Sequence, residues 1–256
     1  RLAEQLRQLQ GDVEGFSCAN GALSSGILPT QPANAVPSSN SISEAISHAV
    51  VYIQWEEGSG TGFFVTPQII VTNAHVVGDA ITVDIFSETL FPRPVQGRVL
   101  TRLQEQTASL ADRDYAIVEV TAPATVRPLE LAPTPVQLAS VVSAGYPGLF
   151  QSFHQSNRPR MILRRGEFID ALPQADGRTV FAHSAEVFQG NSGGPLLNEC
   201  GAVIGVNTFL IWATSSGENT GPEVKTDFAL PAADLSEFLA EHGVNVSVSA
   251  APCEGS

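Results

Sequence analysis

The chain has 256 residues, 43% of them apolar, enough for one large all-β unit or two small domains with a sizeable core. Its net charge of −13 and its single lysine, Lys225, argue against a nucleic-acid partner, because phosphate contacts need clustered Lys and Arg. No stretch approaches the roughly 18 apolar residues that span a bilayer, and no signal-like segment follows Arg1.

Residues 1–16 read as a helix: Leu2, Leu6, Leu9, Val13 and Phe16 repeat at heptad spacing. Such a seam fits either an amphipathic helix packed on its own domain or the end of a coiled coil, so oligomerisation through it stays open. Residues 17–44, rich in Gly, Ser, Pro, Asn and Ala, read as a linker or a long surface crossing. From about 46 to 231 short strands alternate with turn residues. They are expected at Ala49–Gln54, Gly60–Val65, Gln68–Thr72, Ala80–Phe86, Gln96–Thr101, Ala116–Val120 and Val141–Gly145. The later ones fall at Met161–Arg165, Val180–His183, Pro195–Leu197, Val203–Thr208 and Asp227–Leu230. Pro123, Pro128, Pro133 and Pro135 mark a connection between two halves. Leu235, Phe238 and Leu239 form one face of a closing helix, with Pro231 suited to its start and Gly243 to its stop. The cluster Arg158, Arg160, Arg164 and Arg165 reads as a solvated face. Cys18, Cys200 and Cys253 are too few for a disulfide scaffold and leave one pair plus a free thiol open. None has metal-binding spacing, so neither a metal nor a cofactor is expected.

Three segments carry chemistry. Val71-Thr72-Asn73-Ala74-His75-Val76-Val77 comes first, Asp112-Arg113-Asp114-Tyr115-Ala116-Ile117-Val118 second, and Gly190-Asn191-Ser192-Gly193-Gly194-Pro195-Leu196 third. They supply His, Asp and Ser in that order. A serine hydroxyl is a poor nucleophile until an imidazole takes its proton, and a carboxylate must hold that imidazole in the right tautomer. Asp112 competes with Asp114 for the acid role; Asp114 is favoured because it directly precedes the apolar Ala-Ile-Val strand. His48, His154, His183 and His242 lie in no such motif and read as structural.

These segments resemble the trypsin-like (chymotrypsin-fold) serine proteases, and within them the bacterial HtrA/Deg type. Gly60-Thr61-Gly62-Phe63-Phe64-Val65, Val203-Ile204-Gly205-Val206-Asn207-Thr208 and Asp227-Phe228-Ala229-Leu230-Pro231 complete the match, which covers about residues 46–242. The resemblance implies an all-β fold of two six-stranded antiparallel barrels with the active site between them. It divides the chain into an N-terminal helix and linker (1–45), a protease domain (46–243) and a tail (244–256). Within the domain the first barrel is expected at about 46–125, the second at about 135–231 and the closing helix at 231–243. The family's PDZ domain is not expected, since little chain follows Gly243.

By the same resemblance His75, Asp114 and Ser192 form the triad, and the loop of Gly190, Asn191 and Ser192 builds the oxyanion hole through the N–H groups of Gly190 and Ser192. A specificity pocket is implied at Glu186, Asn207, Thr208, Phe209 and Asp227. Two carboxylates there favour Arg or Lys before the scissile bond; the family more often takes small aliphatic residues. Thr214–Val224 reads as a mobile loop near that pocket. Asn191 cannot pair with a newly made N-terminal ammonium as the Asp of cleavage-activated proteases does, so no trypsin-type activation is expected. Protein or peptide substrates and a periplasmic or secreted location follow from the family. Gly-x-Ser-x-Gly also fits an α/β-hydrolase esterase, but that fold needs its acid and His after the Ser and helices between its strands. A binding or scaffolding module on the protease fold is the other alternative.

Overall fold

The computed structural model of the chain describes residues 39–107, 109–121, 125–148, 158–214 and 223–249. The helix expected at 1–16 lies outside them. Twelve strands form two closed antiparallel barrels of six strands each. The first contains β1 (Val50–Trp55), β2 (Gly58–Phe64), β3 (Ile69–Thr72), β4 (Thr82–Ser87), β5 (Phe91–Gln104) and β6 (Asp114–Glu119). The second contains β7 (Ser140–Gly145), β8 (Ile162–Pro173), β9 (Thr179–His183), β10 (Pro195–Asn198), β11 (Val203–Thr214) and β12 (Glu223–Pro231). The barrel orders are β1-β2-β3-β6-β5-β4 and β10-β11-β12-β9-β8-β7. Closure leaves no open sheet edge, which suits a chain with so many short strands.

Every expected strand is present, and several run longer. β5 begins at Phe91 rather than Gln96, through the exposed Pro92 and Pro94. β11 continues to Thr214 and β12 begins at Glu223, so backbone expected to be loop is ladder, with Thr214 opposite Glu223. Residues 215–222 lie outside the described residues.

Among the described residues three helices accompany the barrels: α1 (Ser39–Ser47), α2 (Ala74–Val77) and α3 (Ala232–Glu241). α1 corrects the linker expectation over its first residues. Its Ile42 and Ile46, one turn apart, are buried, and burial of that pair outweighs a Ser- and Asn-rich sequence of modest helix propensity. α3 buries Ala232, Leu235, Phe238 and Leu239, and ends where Val244 N–H returns to the Leu239 carbonyl.

The core has three main parts. Val51, Ile53, Phe64, Ile70 and Ile85 fill the first barrel, and Val141, Phe168, Phe181, Leu196 and Ile204 fill the second. A third cluster joins Phe63, Tyr115, Val142, Leu197, Val206 and Phe238, and so welds both barrels and α3 together. Beyond α3 the tail is held as well: Ser247 and Ser249 bracket Leu131, which also pairs with Val203. Cys200, in the turn between β10 and β11, is disulfide-bonded, while Cys18 and Cys253 lie outside the described residues.

Candidate active site

His75 stands on α2, a single turn between β3 and β4. Ala74, Val76 and Val77 are buried and fix the turn, so His75 alone faces outward. β3 pairs with β6, Thr72 opposite Ala116, which brings the start of β6 beside α2. Asp114 Oδ1 accepts the His75 backbone N–H at 3.1 Å, and Oδ2 lies 2.5 Å from His75 Nδ1. Asn73 adds a third link, its side-chain amide donating to the Asp114 carbonyl at 2.7 Å. An ionised carboxylate only accepts, so the proton of this bond sits on Nδ1, which leaves Nε2 as the ring nitrogen directed away from Asp114. Asp112 is spent elsewhere: its carboxylate accepts the backbone N–H and hydroxyl of Thr107 and lies 3.8 Å from Arg178. Behind Asp114 the Tyr115 ring packs on Phe238 at 5.4 Å. Burial, with Asp234 and Asp114 nearby, pushes its phenol well above the ordinary range, so it stays neutral.

Ser192 lies in the loop between β9 and β10. A Cβ on Gly60 would meet the Val76 side chain at 2.6 Å and the Ser192 carbonyl at 2.9 Å, which sets the serine segment against α2. Ser192 Oγ donates to the Thr208 carbonyl at 3.2 Å, so engaging His75 requires it to turn about χ1.

The backbone of this loop is anchored peptide by peptide. Gln189 C=O accepts from Gly148 N–H, and Asn191 C=O from Gly194 N–H, both at 2.9 Å. In a trans peptide the N–H points opposite its carbonyl, so the Gly190 and Ser192 N–H groups face away from those anchors. Neither finds an acceptor among the described residues. The Asn191 N–H does: it donates to Phe188 C=O, so it is not a free donor for the expected oxyanion hole. Gly190 has φ of +101°, and a Cβ there would come within 2.5 Å of the Tyr146 carbonyl. Gly193, at φ of +81°, packs so tightly that a Cβ would meet Thr72 Oγ1 at 2.1 Å.

The expected pocket residues separate. Asn207 is fully buried: its side-chain amide donates to Ser143 Oγ and Pro195 C=O, and its backbone carbonyl takes the Gly193 N–H. It braces the serine loop from behind. Thr208 supplies the acceptor for Ser192. Phe209 continues β11, opposite Phe228. Asp227 is buried, its Oδ1 accepting Val187 N–H at 3.1 Å, and His183 sits across the ladder from it. Glu186 is half exposed and 3.7 Å from Arg164 Nε. Asn191 is buried, and its Oδ1 has no hydrogen-bond partner among the described residues. His48 and His242 lie outside the site; the His242 ring packs on Phe238 and its Nδ1 meets the Phe238 carbonyl at 2.8 Å. His154 is outside the described residues, and among those described no cluster of His, Cys, Asp and Glu could hold a metal ion.

Sequence reasoning passed over Thr61 and Asn73. Both lie inside recognised motifs, but only partners distant in sequence give them roles: Gly190 and Tyr146 of the second barrel for Thr61, and Asp114 of its own barrel for Asn73.

The chain is similar to serine protease Rv3671c of Mycobacterium tuberculosis (strain ATCC 25618 / H37Rv), 30% identical over 76% of this chain and 44% of that one. It is similar to mitochondrial serine protease HTRA2 of Bos taurus, 30% identical over 84% of this chain and 45% of the relative. The chain thus spans less than half the length of these relatives. Among solved structures, the inactive form of Rv3671c protease superposes with a TM-score of 0.58 at 26% identity, over 80% of this chain and 94% of that one. The active form gives 0.56 at 25% identity, over 91% and 99%. Residues 60–206, more than half of the sequence, match the trypsin-like peptidase domain, and the chain belongs to that family.

Proposed function

We propose that this chain is a serine endopeptidase unit that cleaves protein substrates through an acyl-enzyme. The observation that carries this reading is a set of parts: a carboxylate bound twice to residue 75, and the Gly190 and Ser192 N–H groups, which meet no acceptor among the described residues. Ser192 Oγ turns from Thr208 to His75, loses its proton to Nε2 and attacks the scissile carbonyl. His75 returns that proton to the leaving amine. Asp114 holds the ring and stabilises the imidazolium. The Gly190 and Ser192 N–H groups receive the oxyanion, whose charge appears only as the tetrahedral intermediate forms. Water then repeats the sequence on the acyl-enzyme.

Asn191 supports activity without trypsin-type cleavage, because a neutral amide cannot hold a buried ammonium. For specificity, Glu186 shares its charge with Arg164 and Asp227 spends a carboxylate oxygen on Val187 N–H. Neither stands as a lone anion awaiting a cation, which favours a small aliphatic residue before the scissile bond over Arg or Lys. A relative described as a probable periplasmic serine endoprotease DegP-like, from Rhizobium meliloti (strain 1021), supports a periplasmic or secreted location.

The test incubates the chain and its Ser192→Ala variant with unfolded casein and maps the cuts by mass spectrometry. Cleavage by the unaltered chain alone, after Val, Ala or Leu, is expected. Cuts after Arg or Lys overturn the pocket reading. Cleavage by neither protein favours a binding or scaffolding module.

A further inference from the structure

We infer that the side-chain hydroxyl of Thr61 is the positioning group that keeps the oxyanion hole open, reaching from the first barrel into the serine loop of the second. Thr61 lies in β2 and is fully buried. Its hydroxyl donates to the Gly190 carbonyl at 2.7 Å and accepts the Tyr146 N–H at 2.9 Å. Its backbone N–H donates to the Ser192 carbonyl at 2.9 Å, and its own carbonyl accepts the Thr72 hydroxyl at 2.7 Å. One residue thus binds both ends of the Gly190–Ser192 segment and the Tyr146 strand end beside it.

The hydroxyl bond falls on the peptide between the two donors of the hole. Three successive peptides run through the loop. The first and third, which carry the Gly190 and Ser192 N–H groups, are held by their carbonyls within the second barrel, on Gly148 and Gly194. The middle peptide, Gly190–Asn191, points the other way, with its carbonyl on Thr61 Oγ1. Glycine rotates cheaply about φ and ψ, so nothing in the Gly190 residue itself resists a turn of that peptide. A shift of that peptide would displace the Cα atoms at its two ends, and with them the Gly190 and Ser192 N–H groups that flank it; its own N–H, on Asn191, is held by the Phe188 carbonyl, and its carbonyl by Thr61. A buried carbonyl that moved off Thr61 would lose its partner, at a cost typical of an unmade buried hydrogen bond. The hydroxyl therefore converts docking of the two barrels into a fixed position for the peptide that joins the Gly190 and Ser192 N–H groups.

The inference rests on the serine-protease reading above, and its test separates the two. Thr61→Val keeps the side chain's shape and the backbone bond to Ser192 but removes the hydroxyl; Thr61→Ser restores it. Each variant is assayed on a peptide carrying a casein site cut by the unaltered chain, and by its rate of labelling with a fluorophosphonate. That reagent's transition state seats an oxyanion in the same hole. Thermal melting checks folding.

For Thr61→Val, kcat and the labelling rate are expected to fall together by roughly 10–100-fold with KM within about twofold, the pattern of an interaction made only in the transition state. Thr61→Ser is expected to stay within about threefold of the unaltered chain. If Thr61→Val does not fold, Thr61→Ala, which removes the hydroxyl without adding a branched side chain, carries the same test. A folded hydroxyl-free variant with unchanged kcat, or a Thr61→Ser as impaired as Thr61→Val, overturns the inference. A chain that labels but leaves casein intact refutes the endopeptidase reading alone, and the labelling rates then decide the role of Thr61. A chain that does not label removes both.

Discussion

The two halves of the candidate site are built in different ways. The His75–Asp114 half belongs to one barrel: α2 follows β3, β6 pairs with β3, and the bonds to Asp114 come from residues 73 and 75. The Ser192 half belongs to no single barrel. Its loop lacks a strand of its own and is held by Gly148 and Asn207 from the second barrel and by Thr61 from the first. The proposed acid–base pair is therefore a local property of a folded barrel, whereas the proposed nucleophile and oxyanion hole draw on contacts from both barrels. A family with such an arrangement can keep its base ready and control activity through the loop alone.

The largest expected effect removes the nucleophile and leaves both halves folded. Ser192→Ala should lower casein cleavage by roughly a millionfold, with the melting temperature nearly unchanged. Asp114→Asn attacks the local half: the amide can donate to Nδ1 and favour the wrong tautomer, and kcat should fall by about four orders of magnitude. Proton NMR should lose the downfield resonance of the short Nδ1–H bond. Gly190→Ala attacks the docked half. Its Cβ meets the Tyr146 carbonyl, so the loop must shift, and kcat should fall by roughly 100–1,000-fold. The downfield imidazole resonance should survive this change. If Gly190→Ala also abolished that resonance, the two halves would not be separable as described.

Legibility in the sequence follows the same division. The twelve strands could be read because each buries residues against its own barrel, and that local pattern is written into every segment. The His75 and Asp114 motifs stood out for a related reason, since each sits at the edge of an apolar strand. α1 was missed because two isoleucines among serines carry little signal until a surface exists to bury them. Glu186 and Asp227 could be located by their distance from Ser192. Nothing local shows that Arg164 or the Val187 N–H would take up their charge. Thr61 is the clearest case. The Gly-Thr-Gly string announces a tight strand, and only the partner barrel, more than a hundred residues later, turns its hydroxyl into a clamp.

The smallest expected effect tests whether barrel docking also depends on contacts outside the cleft. Glu105, just beyond β5, accepts the Arg113 N–H at 2.8 Å and the Arg113 Nε at 3.2 Å, and it pairs with Arg178 of the second barrel. Arg178 also bonds Asp176 at 2.9 Å. Partial burial raises the Glu105 pKa, but the hydrogen bonds from Arg178 and Arg113 outweigh it and hold the carboxyl below its usual 4.5. A carboxyl whose pKa is lower in the folded than in the unfolded chain stabilises the fold above the unfolded value, and that contribution fades as pH falls through the folded value. Glu105→Gln should therefore cost about 1–3 kcal/mol at neutral pH, and the difference from the unaltered chain should shrink below about pH 4.5. Denaturant unfolding at several pH values reads both quantities. Arg113 leads directly into Asp114, yet Asn73 and His75 hold that carboxylate without help from Glu105. Activity should accordingly change by less than about tenfold, as for a contact that acts on docking rather than on the reacting atoms. A larger loss of kcat, with the imidazole resonance displaced, would show that the local half leans on the barrel interface after all.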